Sequence, residues 1–461
     1  MIPGHPGEET DAPPARSAPR VLVVARGFPP NSDPTSYRWL RFSDGLARLG
    51  WQVEVLTAEP TPKFEYFDPG LSRRISPNVR FHRAHAGILQ PRVWRARLEK
   101  LRRDEAAGHG ASARAAGPAA APAGTPRAWL RAMDDALTPF KIPDATFEWI
   151  PAGTLLGLRV LARRRFDVIV SSAAPFSSHV IAQQLHAWTR TPWIGDFSDP
   201  YSANPFNPRP EWRQRVDARL EASWFRSMAG AIVPVPEMKA LFVREHPDFP
   251  EDRVHVIPYG FDEVLYATLP PHRFEGFTLV HTGTFYAGLR DPGPFFEGLA
   301  RVQDLPIRVV HAGVLQPDWL ARLEALGISD RFEVLGLLSR EAIAPLQLGA
   351  SALLLIGNRG GLQLPGKLLD YLGARRPILA LRNDVRDIAA DLVAARCAGP
   401  VVPNQPEAIA AGLRQLYAWW KEGTLDGRFE HDGAPEFTWT RLERALDQAL
   451  SSHLGTGAAG V

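Results

Sequence analysis

Short apolar runs alternate with helical stretches along nearly the whole of this chain, and that rhythm leaves few architectures open. RVLVVA begins at Arg20, and QVEVLTA, FDVIVSS, PWIGDF, GAIVPV and VHVIPYG follow by Gly260. After the proline-bearing segment ATLPPHRFEG the pattern restarts with TLVHTGT, IRVVHAG, FEVLG, ALLLIG and PILAL. Apolar strands separated by helices of about 10–15 residues predict parallel sheets wound by right-handed crossovers. Two such series, joined near residues 261–275, predict an α/β chain with two Rossmann-like domains facing each other across a cleft. The expected division is a tail over 1–19, a first domain over 20–262 and a second over 270–436. A low-complexity, Ala/Gly/Pro-rich insert at about 104–127 interrupts the first domain.

Composition narrows the function classes. Lys+Arg is 53 against 50 Asp+Glu, a formal net charge of +3. A nucleic-acid binder carries a clustered basic surplus, so no nucleic-acid partner is expected. The one cysteine, Cys397, excludes an intrachain disulfide and a cysteine-rich zinc site. The N-terminal residues are polar and proline-rich without an apolar signal core, and no run reaches the ~18 apolar residues of a membrane span. The expectation is a cytoplasmic protein.

In open parallel sheets, ligands bind beyond the carboxyl ends of the strands, where helix N-termini direct free N–H groups outward. Five loops leave such ends. After ALLLIG, the stretch NRGGLQLPGKLLDYL holds Gly360, Gly361 and Gly366, which let backbone approach a ligand, and Pro365, suited to the start of a helix. Lys367 lies in that first turn, where the helix dipole disfavours a cation and a bound phosphate would offset the cost. Asp370, one turn on, is placed to accept hydrogen bonds from a ribose diol. The plain alternative is a solvated lysine and a helix-face carboxylate. After RVLVVA, Thr35 or Ser36 suits an N-cap. Arg38 and Arg41 share a face there, either to grip an anion or sugar hydroxyl or simply as solvated arginines. His179 falls in the first turn after FDVIVSS, and a single His of this kind serves structure as readily as catalysis. Asp196 and Asp199, in GDFSDPY, are positioned to orient a substrate hydroxyl or to form an Asx turn. Gly283, Gly288 and Arg290, in HTGTFYAGLR, suit a diphosphate or a glycine-rich turn with an exposed arginine.

Together RVLVVARGFPP, GLARLGWQVEVLT, SSAAPFSSH, GDFSDPY, VHVIPYGFD, HTGTFYAGLR and LPGKLLDYLGARRPIL resemble a retaining glycosyltransferase of the GT-B fold, family 4 type. The resemblance implies that the second domain binds a nucleotide-sugar donor and the first an acceptor. By position it implies donor contacts from Gly283, Thr284, Arg290, Gly366, Lys367 and Leu368, with Asp370 holding the ribose. His179, Asp196 and Asp199 become the catalytic group, and Thr35, Ser36 and Arg38 the acceptor side. It further implies that a helix over 437–455 packs back on the first domain, and that neither a metal nor another cofactor is needed. The sequence departs from the family pattern in Leu362, where the first Glu of the Glu, seven residues, Glu motif is usual, and in Thr284, where an arginine often stands.

The implied reaction is sugar transfer from a nucleoside diphosphate to an acceptor hydroxyl with retention, in cell-surface polysaccharide, glycolipid or other glycoconjugate synthesis. Two alternatives stand beside it: a GT-B sugar-nucleotide epimerase, and a catalytically impaired GT-B protein acting as a binding partner. Within residues 91–103, Trp94, Leu98 and Leu101 recur at helical spacing among six basic residues. Such a helix lies on an anionic membrane, where lipid-linked acceptors are found, or packs its apolar stripe on its own domain.

Overall fold

The computed structural model describes residues 18–60, 67–87, 138–204, 209–285, 290–358 and 361–454. Residues 1–17 of the expected 1–19 tail, the insert at about 104–127 and the amphipathic stretch 91–103 lie outside them. The first series of apolar runs forms β1 (Arg20–Ala25), β2 (Gln52–Ala58), β4 (Val168–Ala173), β5 (Trp193–Phe197), β6 (Gly230–Val233) and β7 (Val254–Val256), and β3 (Val79–Ala84), which the sequence reading missed, joins them. The second forms β8 (Thr278–Thr282), β9 (Arg308–Ala312), β10 (Phe332–Val334), β11 (Ala352–Ile356) and β12 (Ile378–Arg382), with β13 (Val401–Pro403), also missed in the sequence, at the edge.

Each series builds one parallel sheet. The orders are β3-β2-β1-β4-β5-β6-β7 and β10-β9-β8-β11-β12-β13. Both reverse direction at their first strand, so each sheet has a switch point, between β1 and β4 and between β8 and β11. The central strands read as continuous apolar runs because helices cover both faces. β4 and β11 are buried along their whole length.

The first helix, Pro34–Arg48, corrects an expectation. Its N-cap is Asp33, whose carboxylate accepts from the Ser36 amide at 3.0 Å and the Ser36 hydroxyl at 2.5 Å. Pro34 follows at the first helical position, where a missing N–H costs nothing. Neither Thr35 nor Ser36 is the cap.

The last helix, Trp439–Ser451, packs on the first domain. Trp439, Leu442, Leu446 and Leu450 join the apolar cluster of Val21, Val23 and Phe42. Arg48 pairs with Glu443 at 2.7 Å, and the Trp51 indole donates to Asp447 at 2.7 Å. The chain therefore crosses between the domains twice, and the two crossings touch: Phe261 donates its amide to the Phe437 carbonyl at 3.0 Å. A Cβ on Gly260 would stand 2.8 Å from both the Phe437 oxygen and Leu442, so the close approach requires glycine.

Candidate donor and acceptor sites at the strand ends

Asp196, near the end of β5, meets Arg38 from the first helix. Arg38 donates through Nε and Nη2 to the two carboxylate oxygens at 3.2 and 3.1 Å. Nη1 and Nη2 donate further to the Pro258 and Ile257 carbonyls at 2.6 and 2.9 Å. The Trp39 indole adds a further hydrogen bond to Asp196 at 2.8 Å. The two side chains are 1% and 2% exposed. A pair so enclosed and so fully hydrogen-bonded holds the first helix against β5 and the β7 exit. This corrects the expectation of a substrate-facing Asp196 and Arg38. Ser36 is likewise fully buried, and Thr35 is nearly so.

His179 is also corrected. Its Nδ1 lies 2.7 Å from the Ser171 hydroxyl, which accepts the Trp193 indole N–H at 2.7 Å. Phe197 and Trp224 press on the ring, with centroids at 4.4 and 5.3 Å. Burial lowers its pKa to about 3. With no exposed surface, this imidazole is a neutral core group and not an acid or base in contact with substrate.

Asp199 is the exception in the first domain. It faces the second one, where the Gln363 amide donates to its carboxylate at 2.5 Å. Burial raises its pKa, against the effect of that hydrogen bond. Leu362 and Leu364, flanking Gln363, pack on the first domain's apolar cluster. The residue standing where the family has its first Glu is thus an interdomain contact.

In the second domain, β8 and β11 diverge at the switch point and bring three elements together. Gly283 ends β8 with φ +88°, a conformation glycine adopts without strain. Asn358 follows β11; its side-chain oxygen accepts from Arg290 Nε, and its amide donates to the Gln363 carbonyl at 3.1 Å. The helix Gly366–Ala374 has Pro365 as its cap and no side-chain capping bond, so the start of the helix is open toward the cleft. Lys367 reaches back from that turn across Gly283: a Cβ there would lie 3.6 Å from its Nζ.

The lysine has no carboxylate partner among the described residues. Nζ lies 2.8 Å from His281 Nε2, and His281 Nδ1 lies 2.9 Å from His311 Nδ1. The imidazoles stack at 5.0 Å with Phe285 against both. Burial, then the Arg290 guanidinium, lowers the Lys367 pKa well below its usual value. Two cations at an open helix N-terminus over a glycine turn form a site for a multiply charged anion. His281 and His311 escaped the sequence reading, although HTG and HAG repeat at the ends of adjacent strands.

The other expected donor residues divide. Gly283, Arg290, Gly366 and Lys367 come together, with Thr284 beside them and partly exposed. Leu368 points into the core, and its amide donates to Pro365 at 3.0 Å. Asp370 pairs with Arg340 at 3.4 Å, and Arg340 stacks at 4.0 Å on Tyr37 of the first domain. Burial raises the Asp370 pKa while Arg340 opposes it. Among the described residues no His, Cys, Asp and Glu side chains gather in threes as a metal requires, and no helix is long and apolar enough to cross a membrane.

Two doubly wound parallel sheets, each with its switch point on the cleft, define the GT-B glycosyltransferase fold. Residues 35–260, just under half of the chain, match the family model described as a glycosyl transferase 4-like domain. Among solved structures, sucrose-phosphate synthase from Thermosynechococcus elongatus aligns with TM-score 0.62 at 15% identity, covering 94% of this chain and 98% of that one. Anabaena HepE in complex with UDP aligns with TM-score 0.60 at 12% identity, covering 94% and 100%. UDP-GlcNAc 2-epimerase from Neisseria meningitidis, bound to UDP-GlcNAc, aligns with TM-score 0.55 at 12% identity, covering 94% and 100%. No curated protein matches the chain in sequence.

Proposed function

We propose that the protein is a glycosyltransferase that moves a sugar from a nucleoside-diphosphate donor to an acceptor hydroxyl with retention of configuration. The observation that carries this reading is Lys367, a half-buried cation at an uncapped helix start, beside Arg290 and without a carboxylate partner among the described residues. A diphosphate supplies the missing negative charge. The UDP bound in HepE and the UDP-GlcNAc bound in the Neisseria epimerase support a nucleotide in the same kind of fold.

In the reaction, the bond from the anomeric carbon to the diphosphate oxygen breaks, and one from that carbon to the acceptor oxygen forms. The acceptor's proton passes to a phosphate oxygen of the leaving group, which makes a protein base unnecessary. Arg290, Lys367 and the helix dipole stabilise the charge that develops on the diphosphate. They take the electrostatic part that a metal plays elsewhere, so the reaction is metal-independent. Gln363 and Asp199 close the domains over the donor, which limits its hydrolysis. The acceptor belongs to a cell-surface polysaccharide, glycolipid or other glycoconjugate, reached from the cytoplasmic side.

The test is a panel of nucleoside-diphosphate sugars, scored first for a rise in thermal stability and then for nucleotide release with sugar acceptors. A stabilising sugar nucleotide that gives acceptor-dependent release upholds the reading. Epimer formation from the donor alone would replace transfer by epimerisation, and stabilisation without turnover would leave a binding protein.

A further inference from the structure

The lysine of the donor site rests on an unusual neighbour. A cation in so enclosed a place is ordinarily paired with a carboxylate. Here its hydrogen-bond acceptor is an imidazole, held in turn by a second imidazole. The direction of the bonds follows from the donors available. As an ammonium, Lys367 Nζ has only protons to offer, so His281 Nε2 accepts at 2.8 Å. His281 then carries its proton on Nδ1 and gives it to His311 Nδ1 at 2.9 Å. His311 is left with its proton on Nε2, which meets no hydrogen-bond partner among the described residues. Both rings are fully buried. They occupy paired register positions in adjacent strands, His281 of β8 opposite His311 of β9, so the sheet itself sets their separation.

From this geometry, and resting on the reading of the loop as a diphosphate site, we infer that His281 and His311 are positioning residues that hold the Lys367 ammonium toward the diphosphate through a neutral acceptor. A carboxylate in place of His281 would keep the lysine charged but would repel the incoming phosphates. A neutral acceptor orients the amine without that competition. The charged and titratable groups around Lys367 agree. Arg290 opposes its charge from the loop before the next helix, His281 and His311 face it from the sheet, and Asp370 on its own helix is engaged by Arg340. Burial and the nearby lysine hold His311 down at about 4, so the pair stays neutral through the working range. The free lysine sheds its proton more readily than an exposed one, because burial and Arg290 both penalise the ammonium. Two negative phosphates reverse that penalty.

The test is calorimetric binding of UDP, with inorganic pyrophosphate as a base-independent probe, over a range of pH. The wild type is expected to lose affinity toward alkaline pH. His281→Phe and His311→Phe, which keep the ring stack, should weaken binding by about tenfold, the size of one buried hydrogen bond to a charged group. They should also move the alkaline loss of affinity to lower pH. His281→Gln restores a neutral acceptor and should recover affinity, whereas His281→Glu should bind worst. Wild-type affinity and an unchanged pH profile in both Phe variants, with Lys367→Ala still impaired, would overturn the inference and leave the diphosphate site standing. An unimpaired Lys367→Ala, or no binding of either probe by the wild type, would overturn both. If the Phe variants fail to fold, the His281→Gln and His281→Glu pair decides alone.

Discussion

The two domains place charge at equivalent points, the carboxyl ends of central strands, and treat it in opposite ways. In the first, Asp196 and Arg38 answer each other completely: every guanidinium hydrogen bond ends on a carboxylate or a carbonyl, under a lid of Trp39, Phe42 and Tyr259. In the second, Lys367 has a neutral imidazole on one side and a like-charged guanidinium near it. The first arrangement is complete without a ligand. The second is not, because Lys367 has no carboxylate partner among the described residues. Position at a strand end therefore does not make a charged residue functional. What distinguishes the two is whether the fold itself supplies the counter-charge.

Four substitutions or titrations press on that contrast. The largest effect belongs to Asp196→Ala, which leaves Arg38 buried and unanswered at a cost of about 3–5 kcal/mol. Urea denaturation measures it, and a loss below about 1 kcal/mol would show that the pair is dispensable to the fold. Lys367→Ala should instead spare stability and weaken nucleoside-diphosphate binding by about 10- to 100-fold, the value of a charge-assisted hydrogen bond. Equal affinities for mutant and wild type in calorimetry would erase the difference between the domains.

The third concerns pH. His179 is neutral in the folded protein, with its pKa lowered from 6.5 to about 3 by burial, so between those values the unfolded chain binds a proton that the folded one refuses. Its contribution is full above about pH 6.5 and falls by about 1.4 kcal/mol per unit as the solution is acidified toward pH 3. Denaturation at stepped pH should therefore show a shallower acid slope in His179→Phe, with nucleotide affinity untouched; a parallel slope would mean the ring is not the buried base described. The smallest effect is Gln363→Ala. Losing the hydrogen bond to Asp199 should cost the closed arrangement about 1 kcal/mol, visible in small-angle scattering as a larger radius of gyration without nucleotide. No change would locate the closure in Leu362 and Leu364 alone.

Much of the fold was legible because its signal is local. A central apolar run such as ALLLIG is a buried parallel strand in itself, and ten or so residues settle the matter. The loops that bring Gly283, Arg290 and Lys367 together were legible for the same reason, since they leave strands whose ends could be read. The roles of Arg38, Asp196 and His179 were not, because they depend on partners far away. Arg38 lies 158 residues from Asp196, and nothing in RWLRF announces that its arginine will be enclosed. The helix cap was misread by two residues because Asp, Thr and Ser all serve there, and only the structure shows which oxygen meets the amide. Gln363 and Asp199 lie 164 residues apart; their contact is a property of two assembled domains and of no segment. The histidine pair was within reach of the sequence, since HTG and HAG end neighbouring strands, but only strand register makes two such histidines opposite.

The last helix gives the two domains different birthdays on the ribosome. The core around Val21 and Phe42 is finished by Trp439, Leu442 and Leu450, so the domain synthesised first must wait until the second has been made before its apolar surface is closed. The second domain draws its main core from Phe277 to Leu425, a continuous stretch that leaves the exit tunnel earlier. Translation order and completion order are thereby reversed. The nascent first domain carries an open groove along Phe42 and Leu46 for as long as the second takes to emerge, and a chain stopped short of Trp439 would keep it.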